Sequence, residues 1–159
     1  VDGIKTSPYM ADRAYAPELD FKPEFLYGVE SKRPLNEFDG VGFSLQYELS
    51  YPTVLKMLEM SGIPIRNENR TDTDPIVFAG GPCTYNPLPM CEFIDVFTIG
   101  DGEEMMVDVC KVLESTKGLT RKERIAELCK IKGCWSADNI FNKEFIYKNV
   151  ERRILYGLR

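Results

Sequence analysis

The side chains that most often perform catalysis in proteins are scarce in this sequence. Its 159 residues include no histidine, which excludes imidazole bases, histidine-activated nucleophiles and histidine metal ligands within this chain. The five cysteines are scattered and odd in number, and Cys129 and Cys134 lack the second cysteine pair that a zinc site needs. We therefore predict free thiols in a reducing, cytoplasmic setting, with neither a catalytic residue nor a metal ligand in this chain.

A group of carboxylates follows one short apolar run. Asp101, Glu103 and Glu104 come directly after residues 96–100, at the predicted start of a helix. Acidic residues in this position are typical of helix N-caps and of side chains that compensate the helix dipole, so we interpret them as structural. Glu48 lies between a predicted strand and a predicted helix, where its charge needs solvent or a partner.

Two apolar runs end in glycine, which makes them candidates for strands that border a ligand site. Residues 76–79 lead into Gly80 and Gly81, and residues 96–99 lead into Gly100. Continuous apolar runs are typical of buried parallel strands, and glycine at a strand end permits a tight turn and the close approach of a ligand. Neighbouring strand ends form the ligand-binding rim of a doubly wound sheet. The sequence therefore predicts a site at this rim, although a turn requirement alone also explains the two adjacent glycines.

Strand and helix patterns alternate through the middle of the chain. They predict an α/β domain with a mainly parallel, doubly wound sheet of the Rossmann or flavodoxin type. Strands are expected at residues 40–46, 76–79 and 96–99, with shorter ones near 14–16 and 26–30. Helices are expected from a Ser50 cap to residue 61, at 88–93, at 102–114, and from a Thr120 capping box through 131. Residues 66–75 are predicted to form a solvated loop without a catalytic role.

Composition limits the size of the domain and its partners. Apolar residues make up 43% of the chain, enough for one domain with a core. Lys+Arg is 20 and Asp+Glu is 25, so the net charge is −5, and no basic stripe with interleaved aromatics indicates nucleic-acid binding. No apolar run approaches the roughly 20 residues that span a bilayer. A half-alternating pattern begins near residue 134, so we predict an α/β domain at 1–133 and a β-rich C-terminal tail or linker at 134–159.

Four motifs stand out: Glu-Ser-Lys-Arg-Pro-Leu at 30–35, Gln-Tyr-Glu-Leu-Ser-Tyr at 46–51, Gly-Gly-Pro-Cys at 80–83 and Gly-Asp-Gly-Glu-Glu at 100–104. Together they resemble the N-terminal part of a family of radical S-adenosylmethionine (SAM) proteins with a vitamin B12-binding-type domain, from about residue 13 to 153. The resemblance implies a catalytic domain further along the same polypeptide, whose Cys-x3-Cys-x2-Cys loop holds a 4Fe-4S cluster and which binds SAM. No such cysteine spacing occurs here. This chain would then be an accessory domain of a radical SAM enzyme.

The same resemblance implies a cobalamin site. Domains of that type use a histidine loop for the cobalt, a Ser-x-Leu pair and a Gly-Gly turn. Gly80-Gly81 match the turn, whereas the Ser44-Leu45-Gln46 run keeps the serine but has glutamine where leucine is expected, and the histidine is absent. With the glycine-ended strands, this gives the candidate cofactor-binding residues Ser44, Leu45, Gln46, Gly80, Gly81, Pro82, Gly100, Gly102 and Glu103.

Two hypotheses from different classes remain open. In the first, the domain binds a cofactor such as cobalamin at the rim, where Tyr47, Tyr51 and Tyr85 could line the cleft. In the second, it binds no ligand and its strand-end loops dock onto the catalytic barrel of the same protein. A free-standing flavin or nucleotide binder is a weaker third hypothesis, because no complete Gly-x-Gly-x-x-Gly loop is present.

The resemblance also places the first strand of the sheet upstream of Val1. Its absence would leave residues 41–45 without one of their two neighbouring strands, and an unpaired strand edge is a template for pairing with another chain. We therefore expect either a rearranged sheet or a strand-exchanged homodimer to which residues 144–154 contribute strands.

Overall fold

The computed structural model describes the backbone of residues 14–15 and the whole of residues 26–137. Its strands are β1 (Ala14–Tyr15), β2 (Tyr27–Gly28), β3 (Gly40–Ser44), β4 (Ile76–Gly80), β5 (Val96–Thr98) and β6 (Cys134–Trp135). Its α-helices are α1 (Tyr51–Met60), α2 (Gly102–Ser115) and α3 (Arg121–Leu128). Short 3-10 turns lie at Leu35–Glu37, Glu48–Ser50, Asn67–Asn69, Pro82–Tyr85 and Leu88–Met90.

Within the described residues, the main sheet has the strand order β3-β4-β5-β6. β3 pairs with β4 in parallel, β4 pairs with β5 in parallel, and β5 pairs with β6 antiparallel. The carboxyl ends of β3 and β4 meet in register, with Ser44 opposite Gly80. β1 and β2 form a separate antiparallel pair. The predicted α/β fold with a mainly parallel sheet is confirmed.

Successive side chains of a strand point to opposite faces of the sheet, so these apolar strands present apolar side chains on both faces. Helices pack on both faces. One face joins the buried α1 residues Val54 and Leu58 in a single core. Its buried strand residues are Val41, Val77, Ala79, Phe97 and Trp135. The other face packs against α2 and α3 through Ile76, Val96, Met105, Val109, Leu113, Ile125 and Leu128. The apolar face predicted for the 102–114 helix is therefore the face that α2 buries.

Several local predictions differ from the structure. Ser50 makes no capping bond, because it lies in the helical region at the end of a 3-10 turn and its hydroxyl donates to the Tyr47 carbonyl at 2.7 Å. The helix expected at 88–93 is only the 3-10 turn Leu88–Met90, which contains Pro89, a residue without a backbone N–H. The Thr120 capping box is confirmed, but its helix ends at Leu128.

Residues 66–75 were expected to be a solvated loop, and most of them are exposed, but the prediction is wrong for Arg70. Its side chain is buried and donates to Asp95 Oδ2 at 3.0 Å. The same oxygen accepts from Arg121 and from the backbone N–H of Val77, which lies 2.7 Å away. Burial raises the pKa of the Asp95 carboxyl, and the two guanidinium groups oppose that rise. This buried charge cluster ties the 66–75 loop and α3 to the start of β5.

Two further expectations concern the edges of the main sheet and the chain beyond residue 133. Among them, β3 lies at one edge of the main sheet. β6 joins the opposite edge, so the chain beyond residue 133 begins by pairing within the domain sheet. Residues 144–154 lie outside the described residues, and the strand-exchanged homodimer stays a prediction. None of the described helices is long and apolar enough to cross a membrane.

Candidate functional site

A groove of about 1080 Å³ lies on the face of the sheet that carries α2. Its floor is formed by Gly40, Gly42 and Ser44 of β3 with Phe78 and Gly80 of β4. One side of α2 forms its wall, through Gly102, Glu103, Met106, Cys110, Leu113 and Glu114. These wall residues follow the three- and four-residue spacing that places side chains on one face of a helix. The groove therefore runs between the edge strand and the helix.

The groove exists because β3 presents almost no side chains on this face. Its sequence Gly-Val-Gly-Phe-Ser places glycine at alternate positions, so Val41 and Phe43 point into the opposite core while Gly40 and Gly42 face the groove. A Cβ on Gly42 would lie 2.4 Å from the Phe78 ring. Glycine at this position thus lets the Phe78 ring lie against the backbone of β3 and form part of an apolar floor.

The Gly80-Gly81 turn closes the carboxyl end of the groove. The Leu45 N–H donates to the Gly80 carbonyl at 2.7 Å, and the Cys83 N–H donates to the Leu45 carbonyl at 3.0 Å. Gly81 has φ +97, and a Cβ there would lie 2.9 Å from the Leu45 oxygen. Gly81 is therefore required by backbone conformation and by the close approach of two strand-end loops, whatever else it contacts.

Most of the predicted cofactor-binding residues line this one groove: Ser44, Gln46, Gly80, Gly81, Gly100, Gly102 and Glu103. Neither Leu45 nor Pro82 belongs to the lining: Leu45 is fully buried in the core on the α1 side, and Pro82 is exposed at the start of a 3-10 turn. The three tyrosines expected to line the cleft are also not part of it. Tyr47 and Tyr85 are exposed, and Tyr51 packs against the core on the α1 side. Glu48 is exposed to solvent. The role of the lining residues in binding stays a prediction.

Polar side chains are concentrated at the strand ends. Gln46 Nε2 donates to Ser44 Oγ at 2.7 Å. Thr98 lines the groove although its side chain is only 7% exposed, and its hydroxyl donates to the Ala79 carbonyl at 3.1 Å. Sequence reasoning missed Thr98, Phe78 and Cys110. Strand alternation could have found Phe78 and Thr98, which lie two residues before Gly80 and Gly100. Helical spacing from Gly102 could have found Cys110.

The charged residues of the groove are mainly acidic. Asp101 precedes α2 but makes no capping bond, so the predicted cap is absent, while Glu103 lies in the first turn as expected. Glu114 lines the groove further along α2. Lys117 Nζ lies 3.1 Å from Asp39 Oδ2, so the charge of this lysine is paired. The groove therefore carries an excess of negative charge.

The described cysteines are free thiols. Burial raises the pKa of Cys110, which lines the groove, and raises the pKa of Cys134 to about 12. Both therefore stay protonated near neutral pH, which makes them weak nucleophiles and weak metal ligands. In the part of the chain that the structure describes, no three His, Cys, Asp or Glu side chains are grouped as a metal site requires.

Comparison with known proteins identifies the chain's relatives. The model of the family described as "Radical SAM proteins, N-terminal" matches residues 4–136. An uncharacterized protein of Methanocaldococcus jannaschii is 27% identical over 135 residues, which are 83% of this chain. The chain spans 28% of the length of that relative. No solved structure matches the chain. Because the family match covers most of its length, this chain belongs to the family of N-terminal regions of radical SAM proteins.

Proposed function

We propose that this domain is an accessory domain that holds a cofactor, with cobalamin as the candidate, for a radical SAM catalytic domain in the same polypeptide. One observation carries the proposal. Residues from the ends of β3, β4 and β5 and from the start of α2 line one end of a groove of about 1080 Å³ that continues along β3 and α2. This volume is at the upper end of the range for small-molecule sites, and such sites characteristically lie at the carboxyl ends of parallel strands.

The groove fits the organic part of cobalamin better than its metal centre. The open space beside Gly102 could receive a bulky ligand, since a Cβ there would have no neighbour closer than Met106 Cγ at 4.0 Å. Ser44 and Gln46 supply polar contacts at one end. The chain offers no imidazole for the cobalt. Cobalamin would supply radical or group-transfer chemistry to the parent enzyme.

The experiment is a titration of the anaerobically purified full-length protein with cobalamin, followed by its visible absorption spectrum and by equilibrium dialysis. We expect saturable binding of one cobalamin per chain with a change in the spectrum. A protein that retains no cobalamin on dialysis at about 100 µM ligand would contradict the proposal, since a cofactor site binds more tightly than that.

A second candidate function, docking without a ligand, is favoured by exposed apolar side chains on the strand-end loops. Leu49 is 83% exposed, Leu88 is 67% exposed and Tyr47 is 58% exposed. Their loops are joined by the Cys83 to Leu45 hydrogen bond described above. The matched relative is far longer than this chain. A catalytic domain of the same polypeptide is therefore the occupant that we propose for this docking surface, formed by Tyr47, Leu49 and Leu88.

Charged residues on this docking surface should weaken the contact between this domain and the rest of the full-length protein. We expect the double substitution Leu49→Asp with Leu88→Asp to speed limited proteolysis between this domain and the rest of the protein several-fold, because a buried unpaired carboxylate disfavours the docked state. Leu119→Asp is the control, since Leu119 is 43% exposed and follows the far end of α2. Equal cleavage rates for the two proteins would exclude docking through this surface.

A further inference from the structure

We infer that the groove selects an uncharged or cationic ligand that is rich in hydrogen-bond donors, and that it rejects ligands with several anionic groups. The inference rests on the proposed function, because it concerns what the groove binds. It concerns the chemical class of the ligand, and it follows from the charges and hydrogen-bond acceptors of the side chains that form the groove.

The wall of the groove is acidic. Asp101, Glu103 and Glu114 line the groove from α2 and the residue before it, and none has an ion-pair partner among the described residues. Lys117 is the lining cation in the described part of the chain, and Asp39 pairs with it at 3.1 Å. Like charges brought together at a binding surface weaken association. A phosphate or carboxylate placed against α2 would therefore meet uncompensated negative charge.

The amino terminus of α2 by itself attracts anions, but the neighbouring carboxylates outweigh this attraction. Its first backbone N–H groups lack a side-chain cap and carry about half a positive charge, which by itself favours an anion. Glu103 lines the groove from the same first turn, and Asp101 directly precedes it. Two full negative charges beside about half a positive charge leave this end of the groove acidic.

The neutral side chains also present acceptors. Thr98 Oγ1 donates its proton to the Ala79 carbonyl at 3.1 Å, so this nearly buried hydroxyl offers only its lone pairs to a ligand. Gly80 keeps the hydroxyl accessible, since a Cβ there would lie 2.8 Å from it. Gln46 donates to Ser44 Oγ and keeps its carbonyl oxygen free to accept, while the Ser44 hydroxyl keeps its hydrogen free to donate.

These contacts define the ligand class. Primary carboxamides, amines and hydroxyls supply donors for the carboxylates of α2 and for the Thr98 and Gln46 oxygens, while an apolar ring system would contact Phe78 and Met106. The carboxamide-bearing edge of a corrin ring belongs to this class. A flavin or adenine nucleotide, whose phosphates carry two or more negative charges, does not.

The test compares two corrins that differ mainly in charge, with a flavin nucleotide as a third ligand. Cobinamide carries carboxamides on the corrin ring, cobyrinic acid carries carboxylates at the same positions, and FMN represents a phosphate-bearing flat ligand. With the full-length protein at low salt, we expect cobinamide to bind at least about tenfold more tightly than either anion. In the double variant Asp101→Asn with Glu103→Gln, the ratio should fall about tenfold, because two repelling charges are removed.

Glu104→Gln is the matched control, since Glu104 is an exposed glutamate in the same turn that does not line the groove. It should change the ratio less than about twofold. Equal or tighter binding of FMN or cobyrinic acid, abolished by Gly102→Phe in the groove wall, would overturn the charge selection and leave the proposed cofactor groove in place. An unchanged ratio in the double variant would overturn it as well. Failure of every probe to bind would refute the proposed function together with this inference.

Discussion

Asp95→Ala is expected to lower the free energy of unfolding by about 3–5 kcal/mol, a large part of the about 5–15 kcal/mol that stabilises a typical domain. The Asp95 side chain is 1% exposed, and one of its oxygens accepts from Arg70, Arg121 and the Val77 N–H. Removing the carboxylate leaves two buried guanidinium groups without their counter-charge. Urea unfolding followed by the fluorescence of the buried Trp135 measures the loss.

The control for this change is the exposed ion pair between Arg66 and Glu92, whose side chains are about half exposed or more. Glu92→Ala should cost at most about 1 kcal/mol, because solvent screens an exposed pair. If Asp95→Ala proved no more destabilising than Glu92→Ala, the buried cluster would not be the tie between loop, strand and α3 that the structure indicates.

Gly81→Val is expected to unfold or strongly destabilise the domain, by about 3 kcal/mol or more. Two effects add. The residue has φ +97, where β-branched side chains are strained, and its Cβ would lie 2.9 Å from the Leu45 oxygen and 3.1 Å from the Leu45 nitrogen. Both contacts are with backbone atoms of a buried residue, which cannot move aside. Circular dichroism and urea unfolding measure the change.

Gly118→Val separates these two effects, since Gly118 has φ +88 but a Cβ there would have no neighbour within 4 Å. It should cost only about 1–3 kcal/mol, from backbone strain alone. A Gly81→Val protein as stable as the Gly118→Val protein would show that the Leu45 contact does not matter. The expected result also means that Gly81→Val cannot serve as a test of ligand binding.

The strand-end rim was predictable because it depends on short-range patterns. Apolar runs that end at Gly80 and Gly100 correctly located the carboxyl ends of β4 and β5, and the helix from Gly102 follows from its periodicity. The Gly81 turn was also foreseeable, since adjacent glycines after a strand indicate positive φ. Each of these features is determined within a few residues.

Other features depend on partners distant in sequence. Arg70 lies in a polar stretch, and its partner Asp95 is 25 residues away, so no local pattern distinguishes it from a solvated arginine. Ser50 has the residue type of an N-cap but not its backbone conformation, because the chain already turns through Glu48–Ser50. The apolar floor arises where Phe78 crosses Gly42 of the neighbouring strand, a contact that only the strand register defines.

The claim that the groove is the cofactor site is tested most directly by filling it. Gly102 has unstrained helical surroundings and open space beside it, so Gly102→Phe should fold normally and place a ring in the groove. Glu104→Phe adds the same ring in the same turn at an exposed position outside the lining. In cobalamin titrations of the full-length protein, we expect Gly102→Phe to weaken binding at least about tenfold and Glu104→Phe to leave it within about twofold, since overpacking costs about 1–3 kcal/mol. Equal affinities for the two variants would contradict the assignment of this groove.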